Sequence, residues 1–265
     1  MTNIISNTIN ATTNVQQPSD NMGDSVILIK GLHKSFGENN AVLKGINIDV
    51  KKGENLVLLG KSGSGKSIVI KCLVGLEIAD EGEINVLGSN ICDLDMDALN
   101  EVRLRIGFLF QNSALYDSMT VRQNLAFPLK RHSKDLTPKQ VDEAIIAALE
   151  GVGLSGAIDK MPSELSGGMS KRIALARTLI LKPEIILYDE PTTGLDTITA
   201  KEISELILHV REKYSTTSII ITHDMACARL AGDRLAILKD GIIYAVGTYD
   251  TLEKSTDDWV RSFFL

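Results

Sequence analysis

Short, uninterrupted apolar runs alternate along this chain with longer segments of helical period. ENLVLLG (Glu54–Gly60), RIGFLFQN (Arg105–Asn112), EIILYDEP (Glu184–Pro191) and SIIITHD (Ser218–Asp224) are each the length of a strand and nearly free of polar interruption. That pattern fits strands buried on both faces of a parallel sheet. Ahead of them, VILIKGLHKSF (Val26–Phe36) and AVLKGINIDV (Ala41–Val50) read as strands joined by a polar turn at 37–40, which predicts an antiparallel layer beside the main sheet. Ile84–Leu87 is a further short strand. SIVIKCLVGL predicts a helix, and TPKQVDEAIIAALEGVG another, with Thr137 as N-cap, Pro138 at the first position and Gln140 reaching back. Val141, Ile145, Ala148, Leu149 and Val152 share one face of that helix. LSGGMSKRIALARTLI (Leu165–Ile180) is a helix opened by Ser166, Gly167 and Gly168, and Ile203, Leu206, Ile207 and Val210 form the inner face of a later one. RLAILKDGIIYAVG predicts a hairpin turning at Asp240-Gly241, and TLEKSTDDWVRSFF a short terminal helix in which Trp259, Phe263 and Phe264 serve packing or an interface. The reading is an α/β fold with a mostly parallel core sheet, an N-terminal antiparallel β layer and a helical insertion at about 113–163, all within 25–265. Residues 1–24, rich in Asn, Thr, Ser and Gln, are expected to be a disordered tail without the pattern of a signal peptide.

Composition narrows the classes. At 265 residues and 44% hydrophobic, the chain can bury one sizeable core. A net charge of −6 argues against a nucleic-acid or anionic-membrane surface as the main partner, and no direct nucleic-acid partner is expected. Cys72, Cys92 and Cys227 match no metal-ligand spacing and suit free thiols in a reducing compartment. No window approaches the ~18 apolar residues of a membrane span, so any pore must come from another chain.

The chemistry centres on GKSGSGKS, Gly60 to Ser67, which fits the phosphate-loop spacing of Gly, four free positions and Gly-Lys-Ser. Gly60, Gly63 and Gly65 free the backbone to converge its N–H groups on phosphate oxygens, and Lys61, Ser62 and Ser64 lie on the same arc. Lys66 supplies a cation to the outer phosphates, Ser67 an oxygen for magnesium, and the following helix directs its positive end at the same anion. The bland alternative is a Gly/Ser loop with a chance lysine; the buried strand feeding the loop argues against it. Asp189 fits a magnesium-side carboxylate and Glu190 a base that orients water, two acids that would be costly at the end of an Ile/Leu run without partners. Phe36 divides evenly between an adenine platform and a core phenylalanine. Ser166 to Gly168 offer a second anion-binding helix start or a plain structural cap. Gln111 and His223 alone are ordinary strand termini. Together, however, Gly60, Gln111, Asp189 with Glu190, and His223 all follow the carboxyl ends of predicted parallel strands, the rim where open α/β sheets bind ligands.

With these residues assembled, the chain resembles the ATP-binding subunit of ABC transporters over roughly Val26 to Gly247. GKSGSGKS resembles the family's Walker A loop, Gln111 its Q-loop glutamine, LSGGM its signature motif, and IILYDE its Walker B strand with the catalytic glutamate at Glu190. Gly194, Leu195 and Asp196 match the D-loop, His223 the switch histidine and Phe36 the adenine-stacking aromatic. The resemblance implies ATP and Mg2+ as ligands, with Ser67, Gln111 and Asp189 on the metal and Lys66, Gln111, Glu190 and His223 in catalysis. It implies a head-to-tail pair, with Ser166, Gly167, Gly168 and Asp196 of one copy facing the nucleotide held by the other. NSALYDSMTVRQNLAFPL would meet a separate multi-span permease, placing the chain peripherally on the cytoplasmic face of a bacterial inner membrane. Met169 stands where most relatives carry glutamine. That variant, with FQNSALYDSMTVRQNLAFPL, MPSELSGGMSKR and DDWVRSFF, is similar to the Mla/Mkl group of phospholipid-transport ATPases, which implies phospholipid as cargo and a lipid-binding partner protein. The chain ends at Leu265, short of the longer tail that relatives use for dimerisation.

Two other readings compete. An importer of amino acids or other small polar solutes would use the same site residues and differ only in Met169 and the flanking similarity. A soluble ABC-type protein acting on DNA or ribosomes would be expected to carry tandem cassettes, a coiled-coil insertion or zinc-type cysteines, none of which the sequence has. A P-loop kinase would need neither LSGG nor the GLD turn.

Overall fold

The first strands set one layer. A computed structural model describes residues 25–37, 40–133 and 135–265; the expected tail at 1–24 and the tip of the first turn lie outside the described residues. β1 (Ser25–Ser35) and β2 (Ala41–Lys51) pair antiparallel, as their patterning and the turn between them require. β3 (Asn55–Gly60) then runs into α1 (Lys66–Leu73), followed by β4 (Glu81–Val86), β5 (Ser89–Asn90), α2 (Met96–Leu104) and β6 (Ile106–Leu109). α3 (Val121–His132), α4 (Pro138–Gly151) and α5 (Gly167–Leu179) lead to β7 (Ile185–Asp189), α6 (Thr197–Tyr214), β8 (Thr217–Ile221) and α7 (Met225–Ala231). β9 (Arg234–Lys239), β10 (Ile242–Gly247), α8 (Tyr249–Glu253) and α9 (Asp258–Arg261) follow.

These strands form two sheets. The four-stranded sheet has the order β2-β1-β4-β5 with antiparallel pairing throughout. The six-stranded sheet has the order β10-β9-β3-β8-β7-β6, and every neighbouring pair is parallel except β10 with β9. The four apolar runs are thus β3, β8, β7 and β6, side by side. Successive side chains of a strand face opposite ways, and both faces are covered. Leu56 and Leu58 join a core with Ile29 and Leu43 of the antiparallel layer and Val69 and Leu73 of α1. Val57 and Leu59 join the other core, with Ile173 of α5, Ile203 and Ile207 of α6 and Cys227 of α7. Full burial of each such side chain contributes about 1.5–3 kcal/mol, which explains why these strands tolerate no polar interruption.

Local signals set several elements. Thr137 and Gln140 cap α4 reciprocally, the Gln140 side chain accepting from the Thr137 amide at 2.8 Å. On that helix Ile145 and Leu149 are buried and Val141 and Ala148 half-buried. Asp240 and Gly241 both have positive φ, 51° and 86°, the pair of values that a tight β9–β10 hairpin needs. Three expectations are corrected. The strands end earlier than the apolar runs: β6 stops at Leu109, because Phe110 turns away and its carbonyl accepts from Ser113. β8 stops at Ile221, two residues before His223. The terminal helix is two short helices, since Asp257 caps a fresh start, its carboxylate accepting from Trp259 and Val260.

Candidate functional site

Parallel pairing of β3, β8, β7 and β6 brings their carboxyl ends to one edge of the sheet, and a cavity of about 640 Å³ opens there. Its wall contains Gly60 through Ile68, Gln111, Asp189, Glu190, Thr193 and His223. Gly60 and His223, 163 positions apart in sequence, therefore share one space because their strands are neighbours.

The loop after β3 curls around its own lysine. Lys66 Nζ donates to the carbonyls of Gly60 and Lys61 at 2.8 and 3.2 Å. Burial pushes its ammonium below the usual lysine range, while the charges of Glu190 and Asp189 act in the opposite sense. Gly65 caps α1 with φ 104°, and a Cβ there would stand 2.8 Å from Leu43, so only glycine allows the loop to pass so close to β2. Every α-helix of the described residues except α1 has a side-chain hydrogen bond at its N-cap. The first N–H groups of α1 are thus left to an anion.

Across the cavity, Asp189 closes β7 and accepts from the Ser67 hydroxyl at 3.3 Å. Burial raises its carboxyl above the usual range, and the Ser67 hydrogen bond offsets part of that. A carboxylate disfavoured by burial and beside a hydroxyl, on a wall that Gln111 also lines, is a hard oxygen set that an added cation would stabilise, and it suits magnesium. Among the described residues no group of three or more His, Cys, Asp and Glu could hold a metal by themselves.

Glu190 is held from several sides. Its φ is 51°, its amide donates to the Ile221 carbonyl at 2.9 Å, and its Oε2 accepts from the Thr193 hydroxyl at 3.2 Å. The same oxygen lies 2.8 Å from Nδ1 of His223, whose ring is exposed. A carboxylate poised beside a histidine, facing a loop built for phosphate, can orient water toward a terminal phosphate.

Other expected residues lie elsewhere. Phe36 is not on the cavity wall; the residue is 42% exposed, which excludes the core reading, and its amide donates to the Asn40 carbonyl, a residue that lines an adjoining hollow with Val42 and Lys61. Ser166, Gly167 and Asp196 are exposed at the starts of α5 and α6, outside the cavity. Ser166 accepts from the Met169 amide and Asp196 from the amides of Ile198 and Thr199. Gly168 is buried where α5 crosses α6, and a Cβ there would collide with Thr199. Five residues on the wall lie outside the sequence-predicted site: Val42, Ile68 and Ile221, which are apolar, together with Thr193 and Phe263. Thr193 had no signal beyond the Thr-Thr of the turn. Phe263, expected to pack, reaches the cavity because Trp259 meets Tyr244 and Phe263 edge to face, at 5.1 and 5.0 Å between ring centres, and folds the chain end back over the loop.

The chain matches the family described as ABC transporter over residues 43–193. It is 39% identical over 237 residues to the probable ribonucleotide transport ATP-binding protein mkl of Mycobacterium leprae, covering 89% of this chain and 68% of that protein. It is 38% identical over 242 residues to the intermembrane phospholipid transport system ATP-binding protein MlaF of Haemophilus influenzae, covering 91% of each. It is equally 38% identical to the methionine import ATP-binding protein MetN of Brucella abortus, over 84% of this chain and 59% of that one. Among solved structures, an ATP-binding cassette dimer in a post-hydrolysis state with ADP and Pi superposes with a TM-score of 0.77 at 31% identity, over 84% of this chain and 98% of that one.

Proposed function

Given that the chain belongs to the ABC transporter family and is an ATP-hydrolysing subunit of that family, we propose that it powers phospholipid trafficking between the inner and outer membranes through separate permease subunits. The observation that carries the cargo assignment is the likeness to MlaF along nine-tenths of both chains. Met169 after Leu165-Ser166-Gly167-Gly168, where most of the family has glutamine, supports it. A methionine-import protein of equal identity favours a second reading, an importer of amino acids or similar solutes, although it is matched over a smaller part of its length.

In the proposed mechanism, the N–H groups from Gly60 to Ser67 and the Lys66 ammonium bind the phosphates of ATP, and Phe36 stacks on adenine. Ser67, Gln111 and Asp189 would hold magnesium, which when bound neutralises charge between the outer phosphates. Glu190, fixed by Thr193 and His223, takes a hydrogen bond from the attacking water and aims it in line; His223 reaches the γ-phosphate. Positioning and electrostatics, rather than covalent chemistry, provide the acceleration. Ser166 to Gly168 and Asp196, exposed beyond the cavity, face the nucleotide of a second copy arranged head to tail. The helical insertion at about 113–163 presents Tyr116 and Phe127, exposed and 5.1 Å apart between ring centres, with Phe110 exposed nearby in sequence. This apolar patch would receive a permease at the cytoplasmic face of the inner membrane. No helix of the described residues is long and apolar enough to cross a membrane.

The test is recovery of the tagged protein from its native membranes with identification of co-purifying chains and bound small molecules. A multi-span permease with a lipid-binding protein and phospholipid is the expected result. A permease with a small-solute-binding protein and no lipid would overturn the cargo assignment and leave the ATPase intact.

A further inference from the structure

The ends of β6 and β7 are joined by a side chain that belongs to neither. Lys171 of α5 is only 5% exposed, and its ammonium donates to the main-chain carbonyl of Gln111 and, at 3.4 Å, to that of Glu190. The same helix serves the rest of the Gln111 loop. Thr178 donates to the Phe108 carbonyl at 3.3 Å, and Arg177 to those of Ser113 and Ala114 at 3.2 and 2.9 Å. The loop needs such support, because Ser113 and Ala114 have φ of 60° and 49°, and Glu190 on the other side has 51°. Non-glycine residues hold that conformation only where surroundings impose it.

A buried ammonium is expensive to keep. Among the described residues Lys171 has no carboxylate within ion-pair distance, so the two carbonyls are its principal compensation. Burial lowers its pKa, and the fields of Asp189 and Glu190 oppose that shift. An apolar side chain of equal length would fill this volume without the desolvation cost, so packing alone does not account for a lysine here.

We propose that Lys171 is a positioning residue for ATP hydrolysis, fixing the spacing of Gln111 and Glu190 by binding both main-chain carbonyls. The inference rests on the reading that Gln111 and Glu190 serve hydrolysis.

The test measures ATP turnover by the full chain assembled with its membrane partners, for Lys171→Met, Lys171→Arg and Glu190→Gln. Lys171→Met keeps the stem and removes the donors; Lys171→Arg keeps charge and donors. Loss of an interaction that matters in the transition state lowers kcat rather than raising KM. The expected result is a kcat reduced about tenfold or more in Lys171→Met with KM for ATP within about threefold, and recovery to within about threefold of wild type in Lys171→Arg. Wild-type kcat in Lys171→Met, or a loss that Lys171→Arg does not recover, overturns the proposal. If Lys171→Met does not fold, Lys171→Gln is judged by the same criteria; if neither neutral variant folds, the residue is purely structural and the proposal fails. Glu190→Gln separates the two levels: if it turns over normally the reading of the site falls, whereas if it is inactive beside a normal Lys171→Met only the role of Lys171 falls.

Discussion

Glu190 joins strain and chemistry in one residue. A non-glycine residue at φ 51° costs on the order of 1–2 kcal/mol, and here it is retained with contacts from Thr193 and His223 to its carboxylate. Glu190→Gly relieves the strain and Glu190→Ala does not, so the glycine variant should be more stable than the alanine variant by about 1 kcal/mol. Thermal or denaturant unfolding of the pair checks this, and equal stabilities would contradict it. Lys66 contributes through charge. Without it, backbone N–H groups alone face the phosphates, so Lys66→Ala should weaken ATP binding about tenfold or more, the worth of a charge-assisted hydrogen bond. Titration with nucleotide measures it, and unchanged affinity would exclude the assigned role.

At the scale of elements, helix starts determine much of the outcome. The reciprocal cap of Thr137 and Gln140 predicts that Thr137→Ala destabilises the chain by about 1 kcal/mol without changing ATP affinity. Gly168 makes a different demand. Thr199 occupies the space a Cβ would take, so Gly168→Ala should push α5 from α6 and reduce both stability and turnover. Turnover assays beside unfolding curves check it, and an alanine variant equal to wild type in both would show the crossing to be slack. The sequence made α4 legible through this cap and the apolar strands through their unbroken Ile and Leu. α3 carries the same signal, Thr120 with Gln123, but its apolar face is diluted by Arg122, Lys130, Arg131 and an internal Pro128, so it reads as mixed polar sequence. The split of the terminal segment depends on the Asp257 cap, which also accepts from Tyr244 at 2.6 Å, a contact that only the folded chain creates.

At the scale of the whole molecule, one topological fact organises the site. The order β3-β8-β7-β6 brings Gly60, His223, Glu190 and Gln111 to one sheet edge, and a glycine loop and three polar residues following four apolar runs make this edge readable in the sequence. Residues that arrive by packing were not readable. Phe263 reaches the cavity through edge-to-face aromatics, and Lys171 reaches the carbonyls of Gln111 and Glu190 from α5, neither marked by spacing. Phe36 and the starts of α5 and α6 stand outside the cavity, where a nucleotide base and a second copy would complete the proposed site. The most direct test of the central claim compares steady-state ATP hydrolysis and MgATP binding for wild type and Glu190→Gln within the assembled complex. The account predicts retained binding with hydrolysis reduced about a hundredfold or more, the usual contribution of a positioned base. Hydrolysis within a few-fold of wild type would contradict it, because among the described residues Asp189 is the only other acid on the cavity wall.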